Sequence, residues 1–248
     1  MTRNLKDYQS EYQKQPYESY QSGFRRKVAI DILQSYPHSS LLEVGCGLSP
    51  IFLAIESFSQ LTIIEPSTDF FEKALSAKTT FLEKNIELIN STLEASLPEI
   101  AGRPFDFILV ASLLHEIEDC NKFLQTLHTI SSLETVIHIS VPNALSMHRL
   151  LALEMGIIDK LHDLSESNIR FQQARVFDIN SLKAVVERNG FNVVGSGSYA
   201  LKPFTHQQMQ EMLDRKILTP QMLDGLYNMS RYFPNHGSEI YVNVKKNV

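Results

Sequence analysis

The sequence is poor in cysteine: Cys46 and Cys120 are the only two in 248 residues, and tryptophan is absent. Two cysteines cannot build the disulfide framework of a small secreted protein, so a reducing, cytoplasmic location is expected. The first ten residues are polar and lack the apolar core of a signal peptide. No run of residues approaches the roughly 18 apolar positions that span a bilayer. The sequence therefore predicts a soluble intracellular protein with no membrane partner.

Basic residues are also scarce, with 23 Lys and Arg against 28 Asp and Glu, a formal net charge of −5. A dedicated nucleic-acid-binding protein needs a net basic face, so nucleic acid is not an expected partner. Glycine and proline number only 10 each, whereas 43% of the residues are hydrophobic. This composition is typical of a globular protein with a substantial core, and it excludes fibrous and disordered chains.

From residue 41 onwards, short apolar runs alternate with segments of helical length. The runs predict strands at residues 41–45, 61–65, 86–89, 105–111 and 135–141. The segments between them predict helices at 51–59, 68–78, 93–100 and 120–130. This alternation predicts an α/β fold, in which a parallel sheet is covered by helices on both faces.

The alternation breaks after residue 142, where a helical stretch at 144–155 is followed by a polar, irregular stretch to 175. A helix at 180–188 and a strand at 191–194, continuing loosely to 199, then resume the pattern. A helical hairpin at about 205–230 precedes a last strand at 239–244, which this excursion allows to lie antiparallel. We therefore predict an N-terminal helical segment at 1–40, with a helix at 25–33, and one domain at 41–248. That domain carries cap insertions at about 143–177 and 200–237.

The most informative segment is LEVGCG at residues 42–47, which places Gly-x-Gly directly after the first predicted strand. Glycine lets the backbone turn tightly and approach a ligand without a Cβ in the way. A helix beginning beyond the turn would offer unpaired N–H groups. Glu65 ends the second predicted strand, where a carboxylate accepts hydrogen bonds from both hydroxyls of a ribose. Together these features predict a nucleoside-containing ligand.

Two ligand classes use this arrangement. A dinucleotide site needs Gly at the third position of G-x-G-x-x-G, where this chain has Pro50, which has no N–H to donate. Glu43, before the glycines, suits a cationic or amino-bearing ligand better than a diphosphate. Both features favour S-adenosyl-L-methionine, which carries an ammonium and a sulfonium group. A NAD(P)-dependent oxidoreductase is the alternative.

Residues 42–47 resemble the first motif of class I S-adenosylmethionine-dependent methyltransferases, and IEPS at 64–67 resembles their ribose-binding second motif. Residues 90–94 stand where that family contacts adenine, and residues 105–119 are similar to its fourth strand and loop. The resemblance implies a doubly wound, mostly parallel seven-stranded Rossmann-like sheet with helical insertions after strands five and six. It also implies a set of cofactor-binding residues: Glu43, Gly45, Cys46, Gly47, Glu65, Pro66, Ser67, Ser91, Thr92, Leu93 and Ala111.

The sequence departs from that family at two cofactor positions: Ser49 replaces a frequent third glycine, and Ser91 replaces a common Asp beside adenine. The four tyrosines of the N-terminal segment have helical spacing, which suits either a lid over the cofactor or ordinary helix packing. These residues are Tyr8, Tyr12, Tyr17 and Tyr20.

Methyl transfer is an in-line displacement, so most of the catalysis is alignment, and a base is needed when the acceptor is a hydroxyl. His115 follows the fourth strand, where open α/β sheets bind ligands, and His148 begins the first insertion, so these two are the candidate bases. His138, within a strand, is expected to be a core residue, and His206 and His236 are weaker candidates. The acidic residues at 116, 118 and 119 are expected to act as caps and solvated groups, so no metal is predicted.

The predicted function is methyl transfer to a hydroxyl, amine or anionic oxygen of a small-molecule or saccharide-linked acceptor. Relatives with similar insertions suggest this acceptor class, with O-methylation favoured. A non-catalytic homologue that keeps the cofactor site is a second alternative. A homodimer is compatible with the sequence but is not required by it.

Overall fold

The computed structural model describes residues 4–248, without the side chains of Lys6, Tyr8, Gln9 and Gln13. Seven strands of this part of the chain form one sheet: β1 Ser40–Val44, β2 Gln60–Ile64, β3 Ile86–Ile89, β4 Phe107–Ala111, β5 Val136–Pro142, β6 Phe191–Tyr199 and β7 Glu239–Lys246. Their order is β3-β2-β1-β4-β5-β7-β6. Every pairing is parallel except those of β7, which runs antiparallel to β5 and β6. The predicted doubly wound, mostly parallel seven-stranded fold is confirmed.

Ten α-helices are described: α1 Leu5–Gln13, α2 Glu18–Leu33, α3 Thr68–Lys78, α4 Leu93–Ile100, α5 Cys120–Ile130, α6 Met147–Glu154, α7 Glu166–Arg170, α8 Ile179–Arg188, α9 His206–Asp214 and α10 Pro220–Met229. The bounds of α3, α4 and α5 are those predicted. Each of these three helices begins after a side-chain cap, supplied by Ser67, Thr92 and Asp119. Such caps satisfy N–H groups that have no partner within the helix.

Both faces of the sheet are covered, which explains why the strands lack polar alternation. Leu41 and Leu42 point to opposite faces because successive side chains of a strand alternate. The Leu42 face packs against buried residues of α4, α5 and α8. The Leu41 face packs against Ala29 and Leu33 of α2 and Ala74 of α3. The carboxyl ends of the parallel strands stay at one edge of the sheet, which we call the carboxyl edge.

The predicted helix at 51–59 is wrong, because only a 3₁₀ turn forms there, at Ile51–Leu53. The backbone leaves helical geometry at Ala54, whose φ is −132°. The N–H of Ile51 bonds to the Glu43 carboxylate at 2.9 Å, which ties the start of this segment to β1. Ile51 and Ile55 reach the core without a regular helix. The helix N-terminus expected beyond the glycine turn is therefore replaced by a short turn.

Three smaller predictions also need correction. Helix α2 begins at Glu18 rather than at residue 25, after Tyr17 in a left-handed conformation with φ 63°. Helix α6 is shorter than the predicted 144–155, because the Asn143 side chain accepts the N–H of Leu145 and makes a turn first. Helix α7 lies in the stretch predicted to be irregular, where Ser165 forms a capping box.

The segments after β5 and β6 both leave the sheet at the carboxyl edge. Helices α6 and α7 follow β5, and helices α9 and α10 follow β6. Tyr17 and Tyr20 pack with Met209 and Leu223 of the second segment. The N-terminal helices therefore contact the chain that follows β6. No helix in residues 4–248 is long and apolar enough to cross a membrane.

Candidate cofactor and acceptor site

The glycine turn lies at the carboxyl edge, immediately after β1. Gly45 and Gly47 have φ values of +78° and +55°, a left-handed conformation that L side chains rarely adopt. A Cβ added to Gly45 would meet the Leu113 side chain at 3.1 Å, whereas one added to Gly47 would meet nothing within 4 Å. The backbone at Gly47 therefore faces open space, as a turn that meets a ligand must.

The Glu65 carboxylate is held beside this turn by two backbone donors. Gly47 donates its N–H to Oε2 at 3.0 Å, and Ser67 donates its N–H to Oε1 at 2.9 Å. Glu65 is only 4% exposed, and Ser67 also caps α3, beyond Pro66. These bonds fix the carboxylate between β1 and β2, where ribose hydroxyls would donate to it. The chemistry and position fit the nucleoside part of S-adenosylmethionine.

Glu43 is buried at the end of β1 and holds the segment after the turn through Ile51 N–H. Burial raises the pKa of its carboxyl to about 8, and the charge of Glu65 also raises it. The hydrogen bond from Ile51 and the charge of Arg26 lower the pKa and offset part of this rise. A carboxyl with that pKa is mostly protonated at pH 7 and attracts an ammonium group only after it ionises. Its contact with a ligand stays a prediction.

Arg26 is a candidate that sequence reasoning missed. It projects from α2 to the glycine turn, where its guanidinium donates to the Ser49 carbonyl at 3.5 Å. A guanidinium at this position suits the carboxylate of the methionyl group. No local motif marks Arg26, because only the packing of α2 on the sheet brings it there. Cys46 packs in the core, where burial raises the pKa of its thiol well above the usual value.

The predicted adenine-binding residues follow β3. Asn90 donates its side-chain N–H to the Glu65 carbonyl at 2.8 Å, so the loops after β2 and β3 are joined. Ser91 is half-buried, and Thr92 is exposed and caps α4 through Ala95 N–H. The Leu93 side chain belongs to the main core. Of the predicted cofactor residues Ser91, Thr92 and Leu93, the first two have accessible side chains.

His115 lies just after β4, in a 3₁₀ turn at Leu114–Glu116, and is 3% exposed. Its carbonyl accepts the N–H of Ala174 at 2.9 Å, so the segment after β5 is tied to this loop. Arg175 also donates to the Ile117 carbonyl at 3.1 Å. Ala111, at the end of β4, is half-buried beside this loop. These contacts place His115 beneath the first insertion at the carboxyl edge.

The acidic residues after His115 do not gather into a metal site. Asp119 accepts the N–H of Lys122 at 3.0 Å and so caps α5. No group of three or more His, Cys, Asp or Glu side chains within residues 4–248 is placed to hold a metal ion.

The other histidines occupy different surroundings. His138 is fully buried and shares a hydrogen bond of 2.8 Å between Nδ1 and Asn243 Oδ1, as a core histidine does. His148 begins α6, and its backbone N–H donates to the Lys202 carbonyl at 3.2 Å. His206 lies within hydrogen-bond distance of Lys202, and His236 contacts the Leu145 carbonyl. Lys202 is a buried residue that no sequence motif marks.

The N-terminal tyrosines divide between two environments. The Tyr12 ring packs edge-on against Phe70 of α3, with centroids 6.3 Å apart. Tyr17 stacks on Tyr20 beside the second insertion. The Tyr8 side chain lies outside the described part of the chain. The Tyr12 contact places α1 near the start of α3, while a lid over the cofactor stays a prediction.

A cavity of about 340 Å³ lies between α2 and the second insertion. Tyr199, Tyr227 and Tyr241 line it, together with Asp31 and Arg231. None of its lining residues belongs to the glycine turn or to the other predicted cofactor motifs.

Comparison with known proteins matches residues 17–196 to a family model described as a methyltransferase domain. The plantazolicin methyltransferase BamL, solved with a desmethyl analogue and S-adenosylhomocysteine, is 16% identical, with TM-score 0.58 over 94% of this chain and 88% of that one. The N-methyltransferase NodS from Bradyrhizobium japonicum, also with S-adenosylhomocysteine, is 12% identical, with TM-score 0.55 over 94% and 89%.

Two further matches differ in extent. An S-adenosylmethionine-dependent methyltransferase from Mesorhizobium loti is 12% identical, with TM-score 0.56 over 85% of this chain and 93% of that one. A polyketide synthase–nonribosomal peptide synthetase from Aspergillus clavatus is 29% identical over 98 residues. That stretch is 37% of this chain and only 2% of the fungal protein.

Proposed function

Because the chain belongs to the methyltransferase domain family, we propose that it transfers the methyl group of S-adenosylmethionine to a hydroxyl of a small-molecule or saccharide-linked acceptor. The observation that carries the proposal is the Glu65 carboxylate, which Gly47 N–H fixes beside an open glycine turn. An amine or an anionic oxygen is the alternative acceptor. The similar structures include an N-methyltransferase, so similarity of fold does not choose among these acceptors.

The cofactor supplies a methyl group on a sulfonium centre, and the protein holds it in line with the acceptor. Glu65 would accept the ribose hydroxyls, and Arg26 would pair with the methionyl carboxylate. Ser91 and Thr92 would face the adenine. With the cofactor ends fixed at β2 and α2, the methyl group would lie towards Ala111, at the end of β4.

His115 and His148 are proposed as the groups that orient the acceptor or take its proton. Both lie at the carboxyl edge, His115 after β4 and His148 at the start of α6. Burial lowers the pKa of His148 well below its usual value, and the charges of Lys202, His206 and Arg149 lower it further. The His148 ring is therefore neutral at physiological pH and a weak base, which suits it to orienting the acceptor through a hydrogen bond.

Calorimetric titration with S-adenosylhomocysteine and with NAD separates the proposal from an oxidoreductase. We expect binding of S-adenosylhomocysteine and none of NAD, because Pro50 has no N–H for a pyrophosphate. Incubation with methyl-labelled S-adenosylmethionine and a panel of phenols, sugars and amines then tests activity. Label in phenols or sugars supports the hydroxyl acceptor, and label only in amines overturns it. Cofactor binding without transfer to any member of the panel favours the non-catalytic homologue.

Glu65→Ala should lower the affinity for S-adenosylhomocysteine by at least about tenfold, since each charge-assisted hydrogen bond is worth roughly 1.5–3 kcal/mol. Calorimetry on the folded variant measures this loss. Glu87→Ala is the matched control, because Glu87 is a half-exposed carboxylate on β3 that pairs with Arg103. Equal affinities for the two variants would show that Glu65 does not hold the cofactor.

His115→Ala should reduce turnover by about 10²–10⁴-fold if His115 accepts the proton of the acceptor. Its affinity for S-adenosylhomocysteine should stay within a few-fold of wild type. Steady-state kinetics at saturating cofactor measure the change. Loss of cofactor affinity with normal turnover at saturation would instead make His115 a residue that shapes the loop, and His148→Ala would be the next variant.

A further inference from the structure

Lys202 occupies an unusual position for a lysine, because it is only 3% exposed. The chain reaches it after β6 through Ala200, which has a left-handed φ of 59°. Its Nζ lies 2.9 Å from Nδ1 of His206, and Nε2 of His206 lies 3.9 Å from a carboxylate oxygen of Glu18. An amine, an imidazole and a carboxylate therefore stand in a row that joins the second insertion to α2.

The Lys202 amine lies within hydrogen-bond distance of both ring nitrogens of His206, 2.9 Å from Nδ1 and 3.4 Å from Nε2. In the tautomer with the ring proton on Nε2, towards Glu18, Nδ1 has a lone pair that accepts a hydrogen of the amine. Burial lowers the pKa of His206 to about 3, and the charge of Lys202 lowers it further, so the ring is neutral. His206 thus holds one hydrogen of the amine and orients the rest of Nζ.

Three buried polar atoms without partners lie in segments that meet near Lys202. Gln21 Oε1, Ser146 Oγ and His148 Nδ1 find no hydrogen-bond partner among the described residues. Gln21 and Ser146 are 4% and 0% exposed. Leaving buried polar atoms without hydrogen bonds costs free energy, so three such atoms in neighbouring segments indicate that a polar group binds there. We call Gln21, Ser146, His148 and Lys202 the Lys202 cluster.

Hydrogen bonds join the segments that carry the Lys202 cluster. His148 donates its N–H to the Lys202 carbonyl at 3.2 Å. Gln21 donates to the Ser238 hydroxyl at 2.8 Å, and Ser238 donates its N–H to the Ala200 carbonyl at 2.9 Å. The cluster thus lies where four segments meet: α2, the start of α6, the end of β6 and the start of β7.

This meeting point lies beside the methyl-donor end of the cofactor site. Glu239, the first residue of β7, pairs with Pro142 at the carboxyl end of β5. Strand β5 is the neighbour of β4, whose last residue is Ala111. The Lys202 cluster and the predicted methyl position therefore occupy adjacent parts of the carboxyl edge.

We infer that the Lys202 cluster binds the hydroxyl group of the methyl acceptor and that the Lys202 amine, rather than His115 or His148, takes its proton, which leaves these two histidines to orient the acceptor. This rests on the proposed methyl transfer. A hydroxyl both donates and accepts, so its one hydrogen can go to Nζ while its oxygen accepts the O–H of Ser146. Gln21 Oε1 and His148 Nδ1 then remain for other polar groups of the acceptor. The acceptor O–H bond breaks and an N–H bond forms at Nζ. The oxygen lone pair bonds the methyl carbon, the carbon–sulfur bond breaks with its electrons on sulfur, and the ammonium later releases its proton to water.

The electrostatic surroundings favour a neutral amine near physiological pH. Burial lowers the pKa of Lys202 to about 7, and the charge of Arg25 also lowers it. The carboxylates of Glu18 and Glu239 raise the pKa and offset part of this effect. His148, Arg149 and His206 also face this region from α6 and α9. The amine is therefore available as a base above about pH 7 and becomes protonated below it, so the rate should fall as the pH decreases.

The first test needs no acceptor. In protein labelled with ¹³C at the lysine ε carbon, one resonance that is absent from Lys202→Arg should titrate with a midpoint near pH 7. His206→Gln should move that midpoint, because the row holds one hydrogen of the amine. A Lys202 resonance that stays in the ammonium form up to about pH 10, the ordinary range for lysine, would overturn the assignment.

The second test uses the hydroxyl acceptor found in the labelled panel. Lys202→Met and Lys202→Arg should both reduce turnover by about 10²–10⁴-fold, because neither side chain accepts a proton at neutral pH. Their affinity for S-adenosylhomocysteine should match that of Lys160→Met, a control at an exposed lysine. Full activity of the Lys202→Arg variant would show that a cation suffices and would overturn the base. If wild type fails to bind S-adenosylhomocysteine, the proposed methyl transfer fails by itself, whatever the NMR titration shows.

Discussion

Gly47→Val should reduce the affinity for S-adenosylhomocysteine by more than about a hundredfold, a loss of about 2.8 kcal/mol. Gly47 has φ +55°, which a β-branched residue avoids, and the space above it is open within 4 Å. A valine there strains the turn and fills the space that the ligand needs. Its N–H would also lose the geometry of the bond to Glu65. Calorimetry with the folded variant measures the affinity.

The matched control for Gly47→Val is Gly102→Val, at an exposed loop position with φ +78° and open space of its own. It carries similar backbone strain away from the glycine turn, so its affinity should equal that of wild type. Thermal unfolding of both variants compares the strain itself. If Gly47→Val binds as tightly as Gly102→Val, the cofactor does not lie on the glycine turn.

Glu239→Ala should lower the free energy of unfolding by about 3–5 kcal/mol, because it leaves the largely buried Arg25 charge with Glu18 as its remaining carboxylate partner. Arg25 donates through Nη2 to Oε1 of Glu239 at 2.5 Å and through Nε to Oε2 at 3.0 Å. Tyr199 and Gln21 donate to the same carboxylate, at 2.6 Å and 2.9 Å. Chemical denaturation followed by circular dichroism measures the loss.

A double variant separates the buried charge from the lost packing. Arg25→Met with Glu239→Leu removes both charges and should recover much of the stability, since an apolar pair of similar volume often replaces a buried ion pair without loss. A double variant no more stable than Glu239→Ala would contradict this account and assign the effect to packing.

The same pair gives the stability a defined dependence on pH. Burial by itself raises the pKa of Glu239, but Arg25 and the donors around it outweigh this, so its pKa is lowered on folding. A lowered pKa means that the stabilisation is complete above the unfolded value of about 4.3 and is lost as the pH falls further. Denaturation curves between pH 7 and pH 3 should show a smaller acid-dependent loss in Glu239→Ala than in wild type.

The sheet was predictable because its signals are local. Strands buried on both faces appear as continuous apolar runs, and the caps at Ser67, Thr92 and Asp119 mark helix starts within a few residues. The helix predicted at 51–59 was wrong because the apolar spacing of this segment also fits a helix. The hydrogen bond from Ile51 N–H to Glu43, which ties this segment to β1, joins two parts of the chain and cannot be predicted from the local sequence pattern.

The cofactor half of the proposed site could be predicted from the sequence for a related reason. The glycine turn and Glu65 each stand at the end of a predicted strand, and parallel strands end at the same edge. Arg26 could not be predicted, because the sequence of α2 does not indicate which face of the helix meets the Ser49 carbonyl.

The amino-acid sequence by itself predicted the α/β class, the strands of the parallel sheet and the cofactor of the family. Only the tertiary structure shows the cluster of buried polar and charged side chains in which Lys202, His206, Gln21 and Glu239 come from the second insertion, α2 and β7. Gln21 and Glu239 are 218 positions apart and touch because β7 returns antiparallel beside β5. Charges are buried there only because they neutralise one another, and such compensation depends on which segments meet in space rather than on any local run of residues.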